Sequence, residues 1–171
     1  MPGVNATKQI GQAPTSRSGR RRTVMALTGA ALALCVTPAL AAPVAPATLP
    51  VGDPCVTAAA GTVRDTFPNA LDRNGHRITV RLLCGTQAGY GLRHIDDGHA
   101  PNPGTLDVAS VIACIRNATA RTPVTSGHNW LYTRTTVFGT WSVVTDPAGT
   151  SVVTAYKNGS GNQRAPFSPC V

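Results

Sequence analysis

Thr105-Leu-Asp-Val-Ala-Ser-Val-Ile-Ala-Cys-Ile-Arg-Asn-Ala-Thr-Ala120 is the stretch on which the fold turns. Leu106, Val108, Ala109, Ile112, Ala113, Ile115 and Ala120 recur at helical spacing. Asp107 in the first turn and Arg116 toward the end each suit the helix dipole. Cys114 falls on or beside the side this helix would bury. After a polar loop through Thr122, Pro123 and Gly127 come three β-rich runs, 130–137, 141–145 and 151–156. The last two flank Asp146-Pro147-Ala148-Gly149, a turn in which Pro presets φ and Gly accepts the left-handed position.

Working back from the helix, Asp72-Arg73-Asn74-Gly75 is a tight hairpin turn, because Asn-Gly supplies positive φ values. A strand follows over 76–83, with Ile78, Val80 and Leu82 alternating against Arg77, Thr79 and Arg81. Gly85, Gly89 and Gly91 then interrupt the pattern around Tyr90, and 92–98 reads as a short compact segment closed off by Pro101, Pro103 and Gly104. Ahead of the hairpin, Ala58, Ala59 and Ala60 favour a short helix over 56–66, opposed by Gly61. The sum is an α+β fold: one main helix packed on a mostly antiparallel sheet with a C-terminal β-meander.

At the N-terminus, Arg20, Arg21 and Arg22 precede an uncharged apolar run over 24–34, followed by Pro38, Ala39, Leu40 and Ala41. That is the plan of a secretory signal cleaved after Ala41, too short for a spanning helix of roughly 20 residues. Leu34 stands where a lipoprotein signal needs a small residue before Cys35, and the paired arginines loosely resemble a twin-arginine signal. The expected organisation is a signal peptide over 1–41, an Ala/Pro-rich leader over 42–54 and a single α+β domain over 55–171. The expected location is secreted, with no stable membrane association after cleavage.

Five of the fifteen Lys and Arg residues lie in the signal, so ten face seven acidic residues afterwards, a net charge of +3 rather than +8. The mild excess suits a polyanionic partner without demanding one. Four cysteines remain, Cys55, Cys84, Cys114 and Cys170, an even number that argues for two disulfides. No pair has C-x-x-C spacing, so neither a metal nor another cofactor is expected. Three connectivities are open; a Cys55–Cys170 bridge would close a long loop and is favoured on that ground.

The chain contains no glutamate, so acid–base work falls to histidine or aspartate. His76 beside the hairpin turn and His128 in a polar loop read as surface residues. His94 and His99 bracket one compact segment, and two imidazoles titrating near neutrality suit a base and an acid in one reaction. Packing of His94 against Ile95 and capping of a turn by His99 is the plainer role.

Over 78–160 the chain resembles the small ribonuclease toxins of the barnase, EndoU, colicin and RelE-like group. The likeness rests on Gly91-Leu92-Arg93-His94-Ile95, on His99 soon after, on the amphipathic helix, and on Val152-Val153-Thr154-Ala155-Tyr156. Bacterial toxin domains with a pancreatic-ribonuclease-like fold, which also end in a Thr-x-Tyr strand, are the second resemblance. The likeness implies catalytic roles for His94, His99, Thr154 and Tyr156, and substrate binding by Arg93, Arg116 and Lys157. It implies attack of a ribose 2′-hydroxyl on the adjacent phosphate of an RNA substrate, without metal, and a cognate immunity protein as a further partner. The disulfides depart from those families and would keep the fold inactive in a reducing cytoplasm. The alternative is a non-enzymatic secreted binding domain such as a protease inhibitor, presenting a rigid exposed loop; a cell-wall-associated domain lacks any signature here.

Overall fold

The computed structural model describes residues 49–159 and 163–171. The signal, its cleavage site and positions 42–48 of the leader lie outside the described residues. In chain order the elements are β1 (Val63–Leu71), β2 (Arg77–Leu83), α1 (Gly91–His99), α2 (Val108–Thr119), β3 (Val124–Ser126), β4 (Asn129–Thr136), β5 (Gly139–Thr145) and β6 (Val152–Lys157).

The long helix is α2, and Asp107 is its N-cap, with the carboxylate accepting from Ser110 N–H. Its buried residues Val111, Cys114, Ile115 and Ala118 pack on β4 and β5. Strands β3 to β6 form an antiparallel meander in chain order. Register pairs Tyr132 with Val143 and Val143 with Ala155, placing these buried residues on the face that meets α2. Thr154 and Tyr156 alternate with Ala155 and face the other way, where α1 packs on β6.

β1 and β2 form a separate antiparallel hairpin around the Asn74-Gly75 turn, in which Gly75 has φ 82°. The hairpin meets the larger sheet through a parallel bridge between Arg81 and Ser151, with Arg81 N–H donating to Thr150 O at 2.8 Å. Tyr132 adds a second link, its hydroxyl donating to Leu71 O at 2.8 Å. Burial pushes this phenol up to about 12, so it remains the donor at any ordinary pH.

Two expectations are corrected. No helix spans 56–66: a 3-10 turn occupies Pro54–Val56, capped by Asp53, and β1 begins at Val63. The disulfides are Cys55–Cys84 and Cys114–Cys170, not Cys55–Cys170. The favoured long loop is replaced by two shorter ones because Cys55 and Cys84 both lie in the core, beside the strand-to-helix junction, while Cys170 reaches α2. The compact segment expected over 92–98 is a regular helix, α1, beside the main helix α2, and the α+β fold with its C-terminal meander is as expected. The packed chain also starts before Cys55, since Leu49 is only 4% exposed and Asp53 pairs with Arg64 at 3.1 Å. Among the described residues no helix is long and apolar enough to cross a membrane.

Candidate functional site

Helix α1 is set by glycine geometry at its entrance. A Cβ on Gly85 (φ +68°) would lie 1.7 Å from Tyr90 O, and one on Gly91 (φ +79°) 2.5 Å from Leu83 O. Only glycine lets β2 turn so sharply into the helix. Leu92 and Ile95 anchor α1 in the core. Asp96, also buried, accepts from Gly104 N–H at 2.8 Å and Leu106 N–H at 3.3 Å, tying the helix to the loop that leads into α2. Burial raises its carboxyl above the ordinary value, against the lowering effect of those two bonds.

That anchoring sets His94 and His99 against one another and His99 against Tyr156 of β6. The ring centroids of His94 and His99 are 5.5 Å apart, edge to face, and those of His99 and Tyr156 are 5.4 Å apart. His94 Nδ1 lies 2.8 Å from Gln87 O. A carbonyl can only accept, so Nδ1 carries the hydrogen and the lone pair of the neutral ring sits on Nε2. His99 Nδ1 is buried without a hydrogen-bond partner among the described residues, and so is Thr154 Oγ1. Burial lowers the pKa of His99, helped by the His94 and Arg164 charges and opposed by a hydrogen bond with the Gln163 backbone. Among the described residues Trp141 Nε1 is a third such atom, and Thr154 lies two residues before Tyr156 on the same face of β6. Orphaned buried polar atoms are rare in folded proteins, and a catalytic role or a bound water or ion is among the reasons for one.

The three cations named from the sequence do not join this cluster. Arg93 is a structural bolt: Nε and Nη2 donate to Cys55 O at 2.9 and 2.6 Å, Nη1 donates to Gly85 O at 2.8 Å, and Nη2 also reaches Ala58 O. Arg116 is exposed and lines a shallow apolar pocket with Phe67, Pro68, Ala70 and Thr119. Lys157 follows Tyr156 and so projects to the opposite face of β6, its Nζ 5.2 Å from the Trp141 ring centroid. His76 and His128 are exposed, His76 pairing with Asp72 at 3.3 Å. Among the described residues no group of three or more His, Cys, Asp or Glu side chains could hold a metal ion.

Sequence reasoning missed Arg164. Its Nη1 donates to Ala100 O at 3.0 Å and its Nη2 to Asp97 O, on either side of His99, while Ala165 N–H donates to His99 O at 3.1 Å. The only signal was its place six residues before Cys170, which Cys114 holds against α2. No protein-family model, curated protein or solved structure matches this chain.

Proposed function

We infer that this is a secreted, toxin-like endoribonuclease that cleaves RNA by 2′-hydroxyl transesterification. The observation that carries the reading is the meeting of His94, His99 and Tyr156, from two elements, with a buried His99 nitrogen that lacks a hydrogen-bond partner among the described residues.

His99, kept neutral by its lowered pKa, takes the proton from the 2′-hydroxyl. The 2′-oxygen bonds to phosphorus, the bond from phosphorus to the 5′-oxygen breaks, and His94 delivers a proton to that leaving oxygen. The products are a 2′,3′-cyclic phosphate and a 5′-hydroxyl, with one proton received by His99 and one given up by His94. Water exchange returns the pair to its starting state. The Gln87 carbonyl fixes the His94 ring in one tautomer, which leaves Nε2 to carry the transferred proton. The Thr154 hydroxyl, without a hydrogen-bond partner among the described residues, and the Tyr156 hydroxyl orient the phosphate or the base. RNA is the partner, and an immunity protein made alongside would cover the same site.

The test is a short RNA with one cleavable linkage, beside the same strand carrying a 2′-deoxyribose at that linkage. Cleavage to a cyclic phosphate in the first and none in the second is expected. Equal cleavage of both strands contradicts the mechanism.

One observation favours the second reading, a secreted binding domain. The β4–β5 hairpin tip presents Val137 at 94% and Phe138 at 65% exposure, the kind of apolar loop that docks on another protein. Substituting both with serine would abolish partner binding on that reading and leave RNA cleavage unchanged on the first.

A further inference from the structure

The attacked phosphate carries negative charge that grows in the transition state, and a site for it needs a fixed cation. The position beside His99 is unfavourable in one respect: α1 ends at His99, and the last carbonyls of a helix are its negative pole. Arg164 covers that pole, because its guanidinium spans Asp97 O and Ala100 O.

We propose that Arg164 is the phosphate-binding cation of this site, carried onto the end of α1 by the C-terminal tail. The inference rests on the ribonuclease reading for its substrate, but the anion site stands on geometry of its own. The two bonds to carbonyls use one hydrogen on each terminal nitrogen of the guanidinium. The Nε–H and the second hydrogen on Nη2 share one edge of the guanidinium, the side-on fork that suits two phosphate oxygens. Arg93 and Lys157 are held elsewhere, by backbone carbonyls and by the Trp141 face. The Arg164 charge also bears on His99. The groups around that ring are His94 from α1, Tyr156 from β6, and the Gln163 backbone and Arg164 from the tail, while the Asp96 carboxylate is engaged by Gly104 and Leu106 N–H. An imidazole, a phenol and a guanidinium thus stand around the His99 ring as donors to an anion. The tail is fixed in turn by the Ala165 bond to His99 O and by Cys114–Cys170.

The experiment titrates inorganic phosphate into the oxidised protein at pH 6.5 and follows the His94 and His99 imidazole resonances. Saturable shifts of both rings are expected, with affinity at least tenfold weaker in Arg164→Gln and unchanged in Arg121→Gln, an exposed arginine whose loss removes the same charge. Equal phosphate affinity in Arg164→Gln and Arg121→Gln overturns the proposal. Because Arg164 also caps α1, a companion measurement uses the unmutated protein: phenylglyoxal labelling mapped by peptide mass. Phosphate is expected to slow labelling of Arg164 and not of Arg121, and equal labelling with and without phosphate again overturns the site. Phosphate binding without RNA cleavage supports the Arg164 site and removes the ribonuclease reading. Undiminished RNA cleavage by Arg164→Gln does the reverse.

Discussion

At the scale of single residues, the orphaned Thr154 hydroxyl separates function from stability. A buried hydroxyl without a partner costs about 1–3 kcal/mol of desolvation, so Thr154→Val is expected to leave stability unchanged or raise it by about 1 kcal/mol. The same change is expected to slow RNA cleavage about tenfold or more, since the lost hydroxyl is one that a substrate would complete. Melting and cleavage measured on the same preparation check both halves. His99 gives a second prediction with a definite sign. Its pKa is lowered in the folded protein from an ordinary value near 6.5, so below pH 6.5 the unfolded chain binds the proton more readily. Stability therefore falls as pH drops through 6.5, and the melting temperature of His99→Gln is expected to fall less than that of the unmutated protein between pH 7.5 and 5. Identical slopes would mean that His99 is not held neutral. Asp96 works in the opposite sense: its pKa is raised, so its share of stability is present below 3.8 and is lost as pH rises through the folded value. The comparison with His99→Gln isolates the histidine because both proteins keep Asp96.

Elements explain why some of this was readable and some was not. Helix α2 announced itself through apolar periodicity and an Asp N-cap, and β4 to β6 through β-rich runs between turn residues. β1 was hidden because Pro68 and Asn69 sit in an irregularity between Phe67 and Ala70, so the two buried residues stand three apart rather than two. Helix α1 was hidden because Tyr90, its N-cap, makes no side-chain cap bond, and Gly91 and Gly98 break a pattern only nine residues long. Of the candidate site, His94, His99 and Tyr156 were legible as types at a spacing, and the structure brings them together. The cations were not, since strand alternation and backbone carbonyls decide where Lys157 and Arg93 go. Arg93 accordingly belongs to the stability of α1. Arg93→Met would strand the carbonyls of Cys55, Ala58 and Gly85, and a loss of about 3 kcal/mol is expected from denaturant unfolding. Arg93→Lys is expected to recover little, because one ammonium cannot reproduce the guanidinium fork. Full recovery by lysine would show that charge alone matters there.

For the whole molecule, the two disulfides divide the labour. Cys55–Cys84 spans 29 residues and closes the junction that Arg93 bolts; Cys114–Cys170 spans 56 and holds the tail that carries Arg164. On the chain-entropy account each contributes about 3–4 kcal/mol through the unfolded state. Such losses rival the whole stability of a domain this size, about 5–15 kcal/mol, so the doubly reduced protein is expected to be largely unfolded at 37 °C. Circular dichroism with and without a thiol reductant checks this, and a reduced protein that melts as the oxidised one does would contradict it. Dependence on both bridges fits an oxidising compartment.

The central claim is that one cluster on α1 and β6 performs the chemistry. The most direct measurement is cleavage of total RNA in EDTA by the oxidised protein, beside His94→Ala and His99→Ala variants matched for melting temperature. The expected result is cutting that leaves cyclic phosphate ends and falls about a hundredfold or more in each variant. Absence of cutting by the folded protein, or cutting that neither substitution weakens, would contradict it.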